Sequence, residues 1–248
     1  MSVKTILVSQ PKPENDRNPY FDLADKYKLK IDFRPFINIE GASTRDFRDQ
    51  KVDLAKHTAV ILTSKTAVDH FFRISEETRF KVPDAMKYFC MSEAVAYYLQ
   101  KYVVYRKRKI FFGKQNINDL VEVLKKHKDE KYLLPCSDIL RQRIPDTLEE
   151  HNINFTKLVL YRTVASDLSD LEDVKYDLLV FYSPSGIESL LKNFPEFKQN
   201  TTKIAAFGPT TANAVKKYNL RLDIHAPQPQ APSMSMAIEQ FIKSDKKK

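Results

Sequence analysis

The chain contains an internal repeat with a nearly constant offset, and this feature restricts its fold more than any other. The segment AVILTSKTAVDHFF (59–72) is similar to LLVFYSPSGIESLL (178–191) at an offset of 119 residues. The segment CMSEAVAYYL (90–99) is similar to GPTTANAVKK (208–217) at an offset of 118 residues. Two separate matches at nearly one offset are not expected by chance, so the two halves of the chain are predicted to contain the same structural unit.

Shorter segments of the two halves also correspond. TILVSQ (5–10) is similar to YLLPCS (132–137), and the spacing of apolar residues further along predicts helices over Pro19–Lys28 and Leu140–Glu150. Short apolar runs therefore alternate with helices, which is typical of parallel sheets flanked by helices. We expect an α/β fold of two similar lobes with parallel sheets; a single larger doubly wound sheet is the alternative.

Small polar residues follow apolar runs at corresponding points of the repeat. SPSG follows the run that ends at Tyr182, and GPTT follows the run that ends at Phe207. In open α/β sheets, ligands bind beyond the carboxyl ends of the strands, where the unpaired N–H groups of a helix N-terminus attract anions. Gly208 allows the backbone to approach a ligand closely, and the hydroxyl groups near it can cap the helix or bind the ligand. Simple helix capping is the alternative role of each hydroxyl.

The charge balance favours an anionic partner. The 248 residues include 41 basic and 32 acidic side chains, which gives a net charge of +9. Nucleic acid, an acidic membrane surface and a polyanionic small molecule all fit that charge. The basic run Arg106–Lys109 is suited to nucleic acid, but no recognisable nucleic-acid module surrounds it. Charge alone does not choose among these anions, although the missing module leads us to expect no nucleic-acid partner, and no membrane partner is expected either.

The sequence lacks several familiar site motifs. Neither GxGxxG nor GxxxxGK[ST] occurs, which argues against a dinucleotide fingerprint and a phosphate loop. The five histidines are scattered, without carboxylates or cysteines at metal-ligand spacing, so no metal site is expected. Cys90 and Cys136 lie outside any CxxC motif and predict two reduced thiols. No segment resembles a signal peptide or a membrane span, so we expect a cytoplasmic protein.

Five segments of the chain together resemble the uroporphyrinogen-III synthase family. FYSPSGIESLL, IAAFGPTTANAV and HAPQPQAPSMSMAIEQFI resemble the C-terminal part of that family, in that order. LVLYRTV (158–164) resembles the family's tyrosine-bearing segment, and AVILTSKTAVDHFF resembles its first-half motif. The resemblance spans nearly the whole chain, although each motif is short.

The resemblance implies two flavodoxin-like lobes joined by a two-stranded linker, with the active site in the cleft between them. One lobe is expected to combine 1–32 with 167–248, and the other to comprise 41–157. The linker strands are then expected at 33–40 and 158–166.

The resemblance also implies a reaction. Members of the family convert hydroxymethylbilane to uroporphyrinogen III in haem biosynthesis: loss of the terminal hydroxyl gives an azafulvene, ring D is inverted through a spiro intermediate, and the macrocycle closes. This lyase reaction uses no metal or organic cofactor. The substrate carries acetate and propionate groups on its pyrroles, which fits a basic site lined with helix N-termini. We expect the chain to act as a monomer on this polycarboxylate.

The family's motifs also imply roles for individual residues. Tyr161 matches the family's tyrosine and is expected to assist departure of the hydroxyl; a tyrosine merely packed against a lobe is the alternative. The residues expected to contact substrate carboxylates are Ser64, Lys65, Thr66, Ser92, Ser183, Pro184, Ser185, Gly186, Thr210 and Thr211.

Two positions depart from the family's pattern. Cys90-Met91-Ser92-Glu93 stands where the family commonly has a glycine and a threonine, and Glu93 adds a negative charge to the expected anion site. Gln10 stands where an arginine is common. These departures favour a second hypothesis, a non-catalytic two-lobed protein that binds a tetrapyrrole or another polyanion.

Overall fold

The computed structural model contains two parallel β-sheets, each flanked by helices. It describes residues 3–15, 17–114, 116–140, 143–171 and 175–245. By contacts between Cα atoms the chain divides into two compact units: unit 1 comprises 1–38 and 164–248, and unit 2 comprises 39–163. The chain passes between the units twice, within the third and the eighth strands.

Eleven strands are present in the described residues. In chain order they are β1 (Thr5–Val8), β2 (Lys30–Phe33), β3 (Ile37–Gly41), β4 (Ala59–Leu62), β5 (Lys87–Cys90), β6 (Ile110–Phe112), β7 (Tyr132–Ser137), β8 (Phe155–Ala165), β9 (Leu178–Phe181), β10 (Lys203–Phe207) and β11 (Ile224–Ala226).

The same residues form nine α-helices. In chain order they are α1 (Pro19–Tyr27), α2 (Thr44–Asp49), α3 (Lys65–Glu77), α4 (Glu93–Leu99), α5 (Ile117–Leu124), α6 (Arg143–Glu150), α7 (Pro184–Asn193), α8 (Pro209–Lys217) and α9 (Met234–Asp245). None of these helices is long and apolar enough to cross a membrane.

Two helices begin or end differently from the prediction. Helix α1 ends one residue early because Lys28 adopts the left-handed conformation, with φ of 55°, and its N–H bonds back to the carbonyl of Ala24. Leu140 lies outside α6, which runs over Arg143–Glu150 in the structure; residues 141 and 142 are not among those described.

The sheet of unit 1 has the strand order β2-β1-β9-β10-β11. All four neighbouring pairs are parallel. Numbered within the unit, the order is 2-1-3-4-5, which is that of flavodoxin-like folds. The central strands β1 and β9 come from opposite ends of the chain, so this sheet is assembled from both halves of the repeat.

The sheet of unit 2 has the strand order β3-β8-β7-β4-β5-β6. The neighbouring pairs from β8 to β6 are parallel. If β7 and β8 are counted as the first two strands, this part of the sheet again has the order 2-1-3-4-5. The prediction of an α/β fold with two parallel-sheet lobes is confirmed, and the alternative of one larger sheet is wrong.

Both faces of each sheet are buried. In unit 1, Ile6 and Leu178 pack on one face of the sheet, while Leu7 and Leu179 pack on the other. In unit 2 the four residues of β4 are fully buried and alternate between the two faces. Strands buried on both faces read as continuous apolar runs, which is why LLVF and AVIL were recognisable in the sequence.

Candidate active site

Unit 2 has a cavity of about 460 Å³ at the carboxyl ends of its central strands. Its lining includes Ser64 just after β4, Met91 just after β5, and Ser137 at the end of β7. The carboxyl ends of neighbouring parallel strands meet at one edge of a sheet, and ligands bind at that edge in open α/β folds. The structure therefore has room for a ligand at this edge of the sheet in unit 2.

Ser64 and Tyr161 both line this cavity, although they are 97 residues apart in sequence. Ser64 caps α3, because its Oγ accepts the N–H of Ala67 at 3.1 Å. The same Oγ lies 3.5 Å from the hydroxyl of Tyr161. A serine hydroxyl that accepts one bond keeps its own proton to donate, so the capping role and a substrate-binding role are compatible at Ser64.

Tyr161 is held rigidly from one side. Its ring, 8% exposed, stacks on the imidazole of His70 with centroids 5.1 Å apart and planes inclined by 19°. Arg73 fixes that imidazole in turn, because its Nε donates to Nδ1 of His70 at 3.1 Å. Arg73 also donates to the carbonyl of Ala42 at 2.7 Å and pairs with Glu77 at 2.7 Å. The ring of Tyr161 is therefore held in place by His70 and Arg73, two side chains of α3.

Burial largely determines the protonation states of Tyr161 and His70. Burial raises the pKa of the Tyr161 phenol, against the opposing hydrogen bond with Ser64. Burial and the neighbouring charge of Arg73 lower the pKa of His70. At neutral pH the phenol therefore keeps its proton, and the imidazole is neutral with its proton on Nε2, because Nδ1 accepts from Arg73.

Two further polar residues of the cavity were not identified from the sequence. Asn116 caps α5, accepting the N–H of Asp119 at 3.1 Å, and Arg143 lies at the start of α6. Within the described ranges, Arg143 has no carboxylate at ion-pair distance, so its charge is open to a ligand anion. Neither residue belongs to a repeated motif, and nothing in the sequence spacing shows that they reach the edge formed by β4, β5 and β7.

The other predicted residues of unit 2 lie at helix starts. Lys65 is exposed, with its Nζ 5.3 Å from the ring centroid of Tyr98, and Thr66 is half-buried in the first turn of α3. Ser92 precedes α4 but its side chain makes no capping hydrogen bond. Glu93 is exposed at the first position of that helix, where a carboxylate itself offsets the positive end of the helix dipole.

In unit 1, Ser183 has the same role as Ser64 in unit 2. It caps α7, because its Oγ accepts the N–H of Gly186 at 3.2 Å. Pro184 occupies the first helical turn, Ser185 is half-buried, and Gly186 is buried. A Cβ added to Gly186 would lie 3.6 Å from the Oγ of Ser9, so the residue after β1 also lies beside this helix start. The sequence comparison had singled out Gln10 rather than Ser9.

The start of α8 differs from the other two because its N-cap is a glycine. Gly208 has φ of 82° and ψ of 156°, and a Cβ there would meet nothing within 4 Å. Pro209 has no N–H, and in the described part of the chain the amides of Thr210 and Thr211 have no acceptor. Two adjacent unpaired amides at a helix N-terminus form an anion-binding arrangement.

The two threonines of this turn differ in burial. Thr210 is exposed, whereas Thr211 is 1% exposed because it lies on the face of α8 that packs against the sheet. The Thr210 hydroxyl is therefore accessible to a ligand and the Thr211 hydroxyl is not, while the expected contact of Thr211 with a carboxylate stays a prediction. Its available group is the backbone amide.

Comparison with known proteins gives the family of the chain. Residues 22–235 match the family model described as uroporphyrinogen-III synthase HemD. The chain belongs to the uroporphyrinogen-III synthase family. Two curated uroporphyrinogen-III synthases are each 24% identical to it: that of Chlorobaculum parvum over 97% of this chain and 100% of the relative, and that of Schizosaccharomyces pombe over 96% and 98%.

Solved synthase structures share its fold. The uroporphyrinogen-III synthetase of Helicobacter pylori matches with a TM-score of 0.62 at 18% identity, over 97% of this chain and 99% of that protein. A mutant synthase of Thermus thermophilus matches with a TM-score of 0.55 at 13% identity, over 99% of this chain and all of that protein. The resemblance noted from the sequence motifs is thus confirmed over nearly the full chain.

Proposed function

We propose that this chain converts hydroxymethylbilane to uroporphyrinogen III with inversion of ring D, and that Tyr161 is the residue assisting the first bond cleavage. The observation that carries this assignment is the cavity at the end of β4, where Ser64, Tyr161 and Arg143 line one space. The family supplies the reaction, and the cavity supplies a proton donor beside hydroxyl and guanidinium groups suited to carboxylates.

Tyr161 is suited to assist loss of the hydroxyl because its phenol keeps its proton at neutral pH. As the C–O bond of the hydroxymethyl group breaks, the pyrrole nitrogen supplies the electron pair and the phenol gives its proton to the departing oxygen, which leaves as water. The pyrrole N–H proton then returns to the phenolate, which leaves the azafulvene and restores the phenol. The stacked His70 ring holds the phenol in place during this step. A fixed donor contributes because no reorganisation is needed when charge develops on the oxygen.

Control of ring D then rests on how the bilane is folded. Arg143 and the Ser64 hydroxyl anchor carboxylates in unit 2. Ser183, Ser185 and the amides of Thr210 and Thr211 are the anchors we assign in unit 1. Within unit 2, holding carboxylates beside Tyr161 restricts the bilane to the conformation in which the inverted ring closes, so positioning replaces a larger set of acid–base residues.

The second hypothesis is a binding protein without turnover, and Glu93 is the observation that favours it. This carboxylate is exposed at the start of α4, where it opposes an anionic substrate. The N-terminus of α3, which Ser64 caps, and the positive charge of Arg143 nevertheless favour binding of an anionic substrate. Glu93→Gln should tighten substrate binding under either hypothesis, so consumption of hydroxymethylbilane is the result that distinguishes them.

A single-turnover experiment with Tyr161→Phe tests the proposed role. We expect the variant to bind product within about threefold of the wild type, because the ring and its stacking on His70 remain, and to lose about 10²-fold or more in rate. Tyr182→Phe is the matched control: that phenol is bonded to the Tyr20 hydroxyl at 2.7 Å, and its loss should leave the rate within about twofold.

Two outcomes contradict the proposal. A protein whose thermal unfolding shifts with uroporphyrinogen III but which consumes no hydroxymethylbilane is a binding protein. A Tyr161→Phe rate equal to that of the wild type removes the tyrosine from the chemistry while leaving the activity to other residues.

We propose that the protein acts as a monomer in the cytoplasm. Cys90 and Cys136 are both free and buried, as expected in a reducing compartment. Sedimentation at micromolar concentration would reveal a dimer if the monomer assignment is wrong.

A further inference from the structure

Unit 2 has a second cavity at the opposite end of its strands. Its volume is about 420 Å³, and its lining includes Met86 directly before β5 and Lys109 directly before β6. The candidate active site lies at the carboxyl ends of the strands, so the two cavities are separate. Nothing in the proposed reaction uses this second cavity.

One wall of this cavity is a fixed aromatic pair. The rings of Phe72 and Tyr102 stack with centroids 4.4 Å apart and planes inclined by 2°. The Tyr102 hydroxyl donates to Asp69 at 2.7 Å, which fixes the outer ring. Val82 and Val103 extend the apolar lining. A preformed apolar recess of this kind accepts an apolar side chain at little conformational cost.

The rim is positively charged. Arg106 and Lys109 line the cavity, and the Lys109 N–H bonds to the Arg106 carbonyl at 2.8 Å, which closes a turn carrying four consecutive cations. Over the described ranges, no residue of this turn has a carboxylate at ion-pair distance. Asp84 is the acidic residue among those that line the cavity. The net field at the opening therefore favours an anion.

Two of the apolar side chains that line this cavity are also exposed to solvent. Val104 is 79% exposed and Tyr102 is 42% exposed. Single exposed apolar residues are ordinary, but tyrosines grouped with arginine around an apolar recess are typical of protein interfaces.

We propose that this recess and its basic turn bind an acidic segment of a partner protein. One aromatic or aliphatic side chain of the segment enters the recess, and neighbouring carboxylates pair with Arg106, Lys109 and the cations between them. A nucleic acid fits less well, because its bases stack on open aromatic faces, whereas Phe72 and Tyr102 cover one another. The basic run Arg106–Lys109 noted in the sequence is thus assigned to binding an acidic protein segment.

Fluorescence anisotropy with a labelled acidic peptide tests this inference on the full chain. The probe carries one phenylalanine between two pairs of glutamates, and the control peptide has glycine in place of the phenylalanine. We expect saturable binding of the probe, about tenfold or more tighter than that of the control peptide, because only the probe fills the recess.

Two variants locate the site. Arg106→Gln/Lys109→Gln should weaken probe binding about fivefold and reduce its salt dependence. Val104→Asp should weaken it by at least as much, and its exposed position leaves folding intact, which thermal unfolding checks. Lys216→Gln/Lys217→Gln, two exposed cations on α8 of unit 1, should have no effect. All three should keep full synthase activity, so this inference and the proposed function can fail independently.

Three results would overturn the inference. They are equal binding of the two peptides, probe binding unaffected by both cavity variants, and tighter binding of a twelve-nucleotide single-stranded DNA that the same variants weaken. The last result would reassign the surface to nucleic acid.

Discussion

Replacing Gly208 and Gly186 with alanine should have opposite effects on stability, although both glycines lie at helix starts after apolar strands. Gly208 has φ of 82° and ψ of 156°, a region that is essentially restricted to glycine. A Cβ at Gly208 would meet nothing within 4 Å, so the penalty is conformational rather than steric. We expect Gly208→Ala to lower the free energy of unfolding by about 1–3 kcal/mol.

Gly186 has ordinary helical backbone and a different environment. An added Cβ would lie 3.4 Å from Cδ1 of Phe181, which is normal van der Waals contact. Alanine in a helix is favoured over glycine by about 0.5–1 kcal/mol, so Gly186→Ala should be neutral or slightly stabilising. The two variants should therefore differ by roughly 1–4 kcal/mol in the free energy of unfolding.

Urea unfolding followed by circular dichroism measures this difference. Gly208→Ala should shift the midpoint down without changing the slope, and it should weaken product binding because the open amides of Thr210 and Thr211 are displaced. If Gly208→Ala were as stable as the wild type, the backbone at this turn would not have the positive φ on which the reasoning rests. If Gly186→Ala were the more damaging change, the contact assigned to its Cβ would be wrong.

Three further predictions concern single side chains. His70→Ala should lower the turnover rate about tenfold, because the Tyr161 ring loses the ring on which it stacks. His70→Phe keeps a ring at that position and should keep most of the activity. An equal loss of activity in both variants would mean that the stacking has no role. Arg143→Gln should raise KM for hydroxymethylbilane about fivefold with little change in kcat, and a drop in kcat alone would contradict its role as a carboxylate anchor. The pKa of Asp177 is lowered because, against the opposing effect of burial, it accepts N–H groups of Lys4 and Thr5 and the Thr5 hydroxyl. These hydrogen bonds therefore stabilise the fold fully at pH values above the ordinary carboxyl pKa, and the stabilisation is lost as the pH falls through the lowered folded-state pKa. The difference in free energy of unfolding between wild type and Asp177→Asn should close below about pH 4. A difference that does not depend on pH would refute this assignment.

The sequence was informative where local patterns repeat. The runs at β4 and β9 are apolar because both faces of their sheets are buried, and each is followed by a capping serine, Ser64 or Ser183. Such features are set by neighbours in the chain, which is why the fold class and these two helix starts could be predicted. The alignment of the two halves supplied most of this information.

The remaining features depend on tertiary placement or on helical register. Arg143 and Asn116 reach the cavity through the order of the strands, which no local pattern encodes. The burial of Thr211 could have been predicted from the sequence. Thr211 precedes the buried Ala214 and Val215 by three and four positions, so it lies on the same face of α8 as they do. The stacking of His70 on Tyr161 joins residues from α3 and β8 and could not be inferred from spacing.

The isomer composition of the product tests the central claim most directly. Freshly generated hydroxymethylbilane should be incubated with increasing amounts of the purified chain, and the oxidised porphyrins separated by chromatography. If the polycarboxylate is held and folded as proposed, the type III isomer should replace the spontaneously formed type I isomer in proportion to protein concentration. If type I accumulates at every concentration, at the rate seen without protein, the enzymatic assignment is contradicted.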